Sequence, residues 1–226
     1  MSLSTDSSKM ERFEIFINTL CHSFIAITTF YLTWYCFHVG FSKLITYHVY
    51  FCTLGYQLMT EGILAMYKQN TLTLLAHTKA QKTFIHWQLQ AIGSLLSVIG
   101  IIIQIISRNQ LGKLHFSQTH SILGLVSFVF LILTIVSGCS ALFSIELKKH
   151  LKPIYNKLLH NILALIAFIT GISSIANAYL TKTWIKRNDP GELRYVMFWL
   201  VILIAFLTSI GPIKTLWHYM KTITKR

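Results

Sequence analysis

The chain has 226 residues, of which 54% are hydrophobic and only 12% charged. A soluble domain carries nearer a quarter charged residues, so this composition excludes an ordinary soluble fold. The formal charge of +13 would suit a nucleic-acid binder, but the basic residues lie between apolar blocks, and nucleic acid is not an expected partner.

The apolar residues fall into six blocks of about 20, the length a helix needs to cross a bilayer. They cover residues 15–37, 47–67, 84–106, 116–143, 158–181 and 195–213. The expected fold is an all-α membrane protein of six transmembrane helices. Spans two to five form its central four-helix bundle, and the whole is one domain over residues 1–226. Segments before span one, between two and three, between four and five, and after six hold 13 of the Lys and Arg residues; the other loops hold 7. By the positive-inside rule both termini are then cytoplasmic.

Span one follows an N-terminus containing Asp6, Glu11 and Glu14. Its apolar run exceeds that of a signal peptide and lacks a small-residue cleavage site, so it reads as a retained anchor. It carries His22 and ends in aromatics, Phe30, Tyr31, Trp34, Tyr35 and Phe37, an interface belt. His22 reads as a satisfied polar contact inside the bundle. Span two opens with His48 and holds Glu61, the only acid inside a span. Pairing with a base, contact with a cofactor pocket and a part in proton movement all stay open for it.

Spans three and four form a hairpin over residues 82–125, with His86 and His120 near the two helix starts. The loop after span four contains Pro153, a residue suited to a helix entry or a turn. Span five has His160 at its start. A turn signal at Asn188 to Gly191 precedes span six, which has no histidine and no charge. His38, His77, His115, His150 and His218 lie in loops, span ends or the tail. Cys21, Cys36, Cys52 and Cys139 lie in or beside spans, form no CxxC, and read as small buried residues.

Four histidines therefore stand near the starts of the middle spans. Direction alternates along the chain, so His48 and His120 share one depth while His86 and His160 share another. The layers are roughly 20–25 Å apart at a helical rise of 1.5 Å per residue. Two neutral imidazoles facing across a bundle suit a bis-histidine haem iron. Structural zinc instead wants four ligands at one point. The middle spans contain Gly55, Gly62, Gly93, Gly100, Gly124, Gly138 and Gly171. At about 100° per residue each lies within roughly 40° of its own span's histidine. Small residues gather on any helix-packing face; a flat macrocycle standing against the histidine face would also require them. The expectation is that they clear space for haem.

These residues resemble the cytochrome b561 family of di-haem transmembrane reductases. The resemblance rests on the histidine opening span two with YQLMTEG downstream, on IHWQLQ, on HFSQTHSILGL and on YNKLLH. It covers about residues 47–179. It implies two haem b groups, a cytoplasmic one held by His86 and His160 and a second held by His48 and His120. It implies ascorbate as cytoplasmic donor, and monodehydroascorbate or a ferric chelate as acceptor on the other side. Lys79 and Lys82, with Lys152 and Lys157, become candidates for holding anionic ascorbate, and His115 for the acceptor side. Gln90 stands where the family often has a second histidine. The resemblance suggests endoplasmic reticulum or vesicle membranes, with a homodimer as an assembly to test. Two other classes stay open: a quinol-linked membrane cytochrome subunit, and a non-enzymatic six-span metal or proton transporter.

Overall fold

The computed structural model describes residues 2–67, 78–182, 184 and 191–225. Six long helices account for nearly all of them: α1 Ser2–Val39, α2 Leu44–Leu64, α3 Lys79–Gln110, α4 Thr119–Leu142, α5 Pro153–Ala178 and α6 Leu193–Thr224. A 3-10 turn, Glu146–Lys149, follows α4. Among the described residues there is no strand.

Five of the six helices, all but α2, are long and apolar enough to cross a membrane. Their exteriors carry large exposed apolar side chains, among them Phe30, Trp34, Val136, Trp199 and Phe206. An apolar exterior on such helices is what a lipid solvent favours, and the chain is a multi-pass membrane protein. α2 falls short because it is rich in polar residues. Thr46, Thr53, Gln57 and Thr60 on it are nonetheless buried, since α2 packs against both α1 and α3.

The chain divides into two compact units, residues 1–115 and 116–226. In the first, α2 runs between α1 and α3. Polar contacts tie α1 to α2. Gln57 Nε2 donates to Thr28 Oγ1 at 3.0 Å, the Cys36 thiol lies 3.8 Å from the Thr46 carbonyl, and His22 meets Glu61. In the second, α5 packs against α4 and α6. Ser127 Oγ donates to the Ala167 carbonyl at 2.7 Å. Asn156, buried, receives Ser140 Oγ at 3.0 Å and donates to its carbonyl at 2.7 Å.

Several boundaries differ from expectation. α3 begins five residues before residue 84, because Thr78 and Gln81 form a reciprocal capping box. α4 starts later than residue 116, since Phe116 sits at φ +50°, a conformation that ends a turn rather than opens a helix. Pro153 does open α5. α6 continues past Pro212 to Thr224, and Asn161 Nδ2 donates to the Pro212 carbonyl at 2.9 Å. His77 and most of the Asn188 to Gly191 turn lie outside the described residues; Gly191 itself has φ +50°. Of the cysteines, Cys21 and Cys36 are buried, Cys52 is half-buried and Cys139 is exposed.

Candidate haem-ligand histidines

His48 and His86 stand toward opposite ends of the antiparallel α2–α3 pair, and each reaches across to the other helix. His48 Nδ1 donates to the Gly100 carbonyl at 2.9 Å. His86 Nδ1 donates to the Gly62 carbonyl at 2.8 Å. The two helices carry the same spacing, His48–Gly55–Gly62 and His86–Gly93–Gly100. Run antiparallel, that spacing sets each histidine opposite the other helix's last glycine. The midpoint is Gly55 against Gly93, where a Cβ added to either would lie 2.6 Å from the other's carbonyl oxygen.

In the second unit, His120 Nδ1 donates to Ser174, whose carbonyl lies at 2.8 Å and hydroxyl at 3.0 Å. That hydroxyl spends its own proton on the His120 carbonyl at 2.7 Å. His160 Nδ1 lies 3.3 Å from Ser137 Oγ. Ser137 gives its proton to the Thr134 carbonyl at 3.1 Å, so its oxygen is an acceptor toward the imidazole.

A carbonyl can only accept. Where Nδ1 faces one, the proton is on Nδ1 and the lone pair on Nε2. A hydrogen bond of this kind, made by the ring nitrogen that does not ligate, fixes the tautomer and orientation of a metal-ligating histidine. All four side chains are only part-exposed. They fit an iron ligand's requirements in protonation and in restraint. Among the described residues no three His, Cys, Asp or Glu side chains converge on one point, so a closed tetrahedral cluster of such ligands is not built there.

The glycines require a correction. Four of them make room for the neighbouring helix: a Cβ on Gly55 would run into Ser97 Oγ, on Gly62 it would meet Gln90 Nε2 at 2.9 Å, on Gly93 Met59 Cγ at 2.7 Å and on Gly100 Cys52 Sγ at 2.6 Å. A Cβ on Gly124 would meet Ser174 Oγ at 3.3 Å, and on Gly138 the His160 ring at 3.1 Å. The four on α2 and α3 share the histidine's face because that face is the helix-packing face, across which Nδ1 finds its acceptor. At Gly55, Gly62, Gly93 and Gly100 the contacts belong to protein rather than to a space cleared for a macrocycle.

The other expected residues are spread out. Lys79 is the exposed first residue of α3 and Lys152 the exposed N-cap of α5. Lys82 Nζ is tied to the Tyr67 carbonyl at 2.7 Å. Lys157 is half-buried in α5. His115 Nε2 pairs with Asn109 Oδ1 at 2.8 Å, and the adjacent Arg108 guanidinium donates to the Leu114 carbonyl. His38 stacks on Trp34, with centroids 5.2 Å apart; His150 and His218 are exposed. His22 is a satisfied polar contact as expected, and its partner settles the first of the alternatives for Glu61, pairing with a base: Nδ1 to Oε2 is 2.6 Å. Ser137 and Ser174 were not among the expected functional residues. The paired H-x6-G-x6-G spacing was the available signal for Gly62 and Gly100; neither serine has one.

Comparison with known proteins adds an independent line. Transmembrane reductase CYB561D2 of Mus musculus is 26% identical over 171 residues, covering 75% of this chain and 73% of its own length. The protein of that name from Homo sapiens gives the same identity and coverage. That of Bos taurus is 25% identical over 184 residues, covering 80% and 81%. No solved structure gave a significant match. The family model for eukaryotic cytochrome b561 matches residues 47–186, a stretch that begins just before His48 and includes all four tethered histidines, and the chain belongs to that family.

Proposed function

We propose that this protein is a transmembrane reductase that passes single electrons from cytoplasmic ascorbate to monodehydroascorbate or a ferric chelate on the other side. The carrying observation is the tethering of four histidines through Nδ1, which leaves Nε2 as the ligating atom in the carbonyl-bound cases. His86 and His160 would hold one b-type haem, and His48 and His120 the other. Bound haem supplies the one-electron chemistry; the protein supplies position, axial ligation and surroundings.

The chain's own residues divide the remaining work. Gly62, Gly100, Ser174 and Ser137 orient the imidazoles. Lys79, Lys82 and Lys152 raise the local concentration of an anionic donor, and His115 contacts the acceptor. α2 serves as a sixth span despite its polarity, because its polar side chains are spent on α1 and α3. Both termini face the cytosol, in endoplasmic reticulum or vesicle membranes.

A reduced-minus-oxidised absorption spectrum of the purified protein is the test. A b-type signal reducible by ascorbate is expected. A signal reducible by a quinol but not by ascorbate would favour a quinol-linked cytochrome subunit. No signal would favour a metal or proton transporter. His86→Ala should remove one haem and leave part of the spectrum; retention of both would refute the ligand assignment.

A further inference from the structure

The first unit holds one more ionisable pair within its packed helices. His22 Nδ1 and Glu61 Oε2 are 2.6 Å apart, with side chains 18% and 22% exposed. Ionisable residues inside membrane helices are costly and commonly serve proton movement. A second observation concerns location. Glu61 directly precedes Gly62, the residue whose carbonyl accepts from His86 Nδ1 at 2.8 Å. Glu61 also lies three residues before α2 ends at Leu64, about 5 Å of rise, and its side chain is itself part-exposed.

We infer that the His22–Glu61 pair is a proton-binding site coupled to reduction on the His86 side. The inference rests on the haem reading above. Reduction lowers the charge near His86 by one. In a low-dielectric interior such a change is expensive unless a nearby charge offsets it. The pair is able to do so. With the imidazole neutral, its one ring proton on Nδ1 facing Oε2, and the carboxylate ionised, the charge is −1, and one proton added at Nε2 brings it to zero. One electron arriving near His86 and one proton arriving at the pair leave the total charge unchanged. The reaction balances, because an anionic enediol donor oxidised to its radical releases one electron and one proton. One O–H bond breaks on the donor and one N–H bond forms at the pair.

Among the described residues, the other titratable groups brought to this region are these. α3 contributes His86 itself and Lys82, whose Nζ is tied to the Tyr67 carbonyl at 2.7 Å. α1 contributes Cys21, buried beside His22. Gln90 of α3, packed against Gly62, is neutral and donates to the Met59 carbonyl at 2.9 Å.

The test is an optical redox titration of the purified holoprotein between about pH 5 and 8, following the spectral component that His86→Ala removes. In the wild type its midpoint potential should fall as pH rises. Glu61→Gln should flatten that dependence with haem content unchanged, His22→Gln should do the same, and Glu61→Asp should retain it. A pH-independent wild-type midpoint, or a dependence unaltered in both Gln variants, overturns the inference. Should Glu61→Gln lose haem, the wild type and His22→Gln decide. Wild-type protein without a b-type spectrum would instead overturn the haem reading, a separate and visible result.

Discussion

Gly93→Ala places one methyl group at the closest approach of α2 and α3. Its Cβ would lie 2.6 Å from the Gly55 carbonyl oxygen, 2.7 Å from Met59 Cγ and 3.1 Å from the Met59 amide nitrogen. Met59 Cγ can swing aside, but the Gly55 carbonyl is main chain, and a Cβ contact under 3.0 Å is essentially never seen. The helices must therefore part by about 0.4 Å at least, and steric overpacking of this kind costs about 1–3 kcal/mol. Removing a helix-interior glycine returns only about 0.5–1 kcal/mol. The same parting stretches the two hydrogen bonds that cross this interface, His86 to Gly62 at 2.8 Å and His48 to Gly100 at 2.9 Å. Both move to about 3.2 Å or beyond, the edge of the ordinary range. Loss of such outer contacts typically weakens metal binding about 10–100-fold. We expect a lower thermal unfolding temperature in detergent, in haem-loaded and haem-depleted protein alike, and a haem content per chain well below wild type. Gly124→Ala is the control, since its Cβ would meet only Ser174 Oγ, at 3.3 Å. Wild-type stability and haem content in Gly93→Ala would refute the packing role of this glycine. Destabilisation confined to the haem-loaded form would restore the macrocycle explanation.

Ser137→Ala removes the hydroxyl that faces His160 Nδ1, whereas Ser174→Ala leaves the Ser174 carbonyl on His120; haem retention should fall more in the first, and Ser137→Thr should recover it. His115→Ala should leave the haem spectrum intact while slowing reduction of a ferric chelate, measured by stopped flow. Lys79→Glu combined with Lys152→Glu should raise KM for ascorbate with kcat nearly unchanged. That effect should shrink as ionic strength rises, because exposed charges are screened over about 10 Å at 0.1 M salt.

Hydropathy is a local property, and the helices that rest on it were legible. The six helices match the six apolar blocks, and Pro153 opens α5 as a proline can, because its missing N–H is surplus in a first turn. The start of α3 was legible too, in Thr78 and Gln81, but only to a search for caps; an apolar count begins at Phe84. α2 shows the limit from the other side. Its hydropathy is too low for a span on its own, since a polar side chain in a membrane protein is acceptable wherever a neighbouring helix meets it.

The order of the four histidines, their alternation with span direction and their shared face with the glycines were all determined by the amino-acid sequence. What stands on that face was not. Periodicity assigns an angle around a helix, and a macrocycle and a neighbouring helix demand the same missing side chains. Docking of α2 on α3 decided for the helix at Gly55, Gly62, Gly93 and Gly100. The tautomers were equally out of reach, because the acceptors of His48, His86 and His120 are main-chain carbonyls. Every residue has one, so no side-chain pattern marks those that matter. The same holds for His22 and Glu61, far apart in sequence and joined at 2.6 Å only because α1 packs along α2.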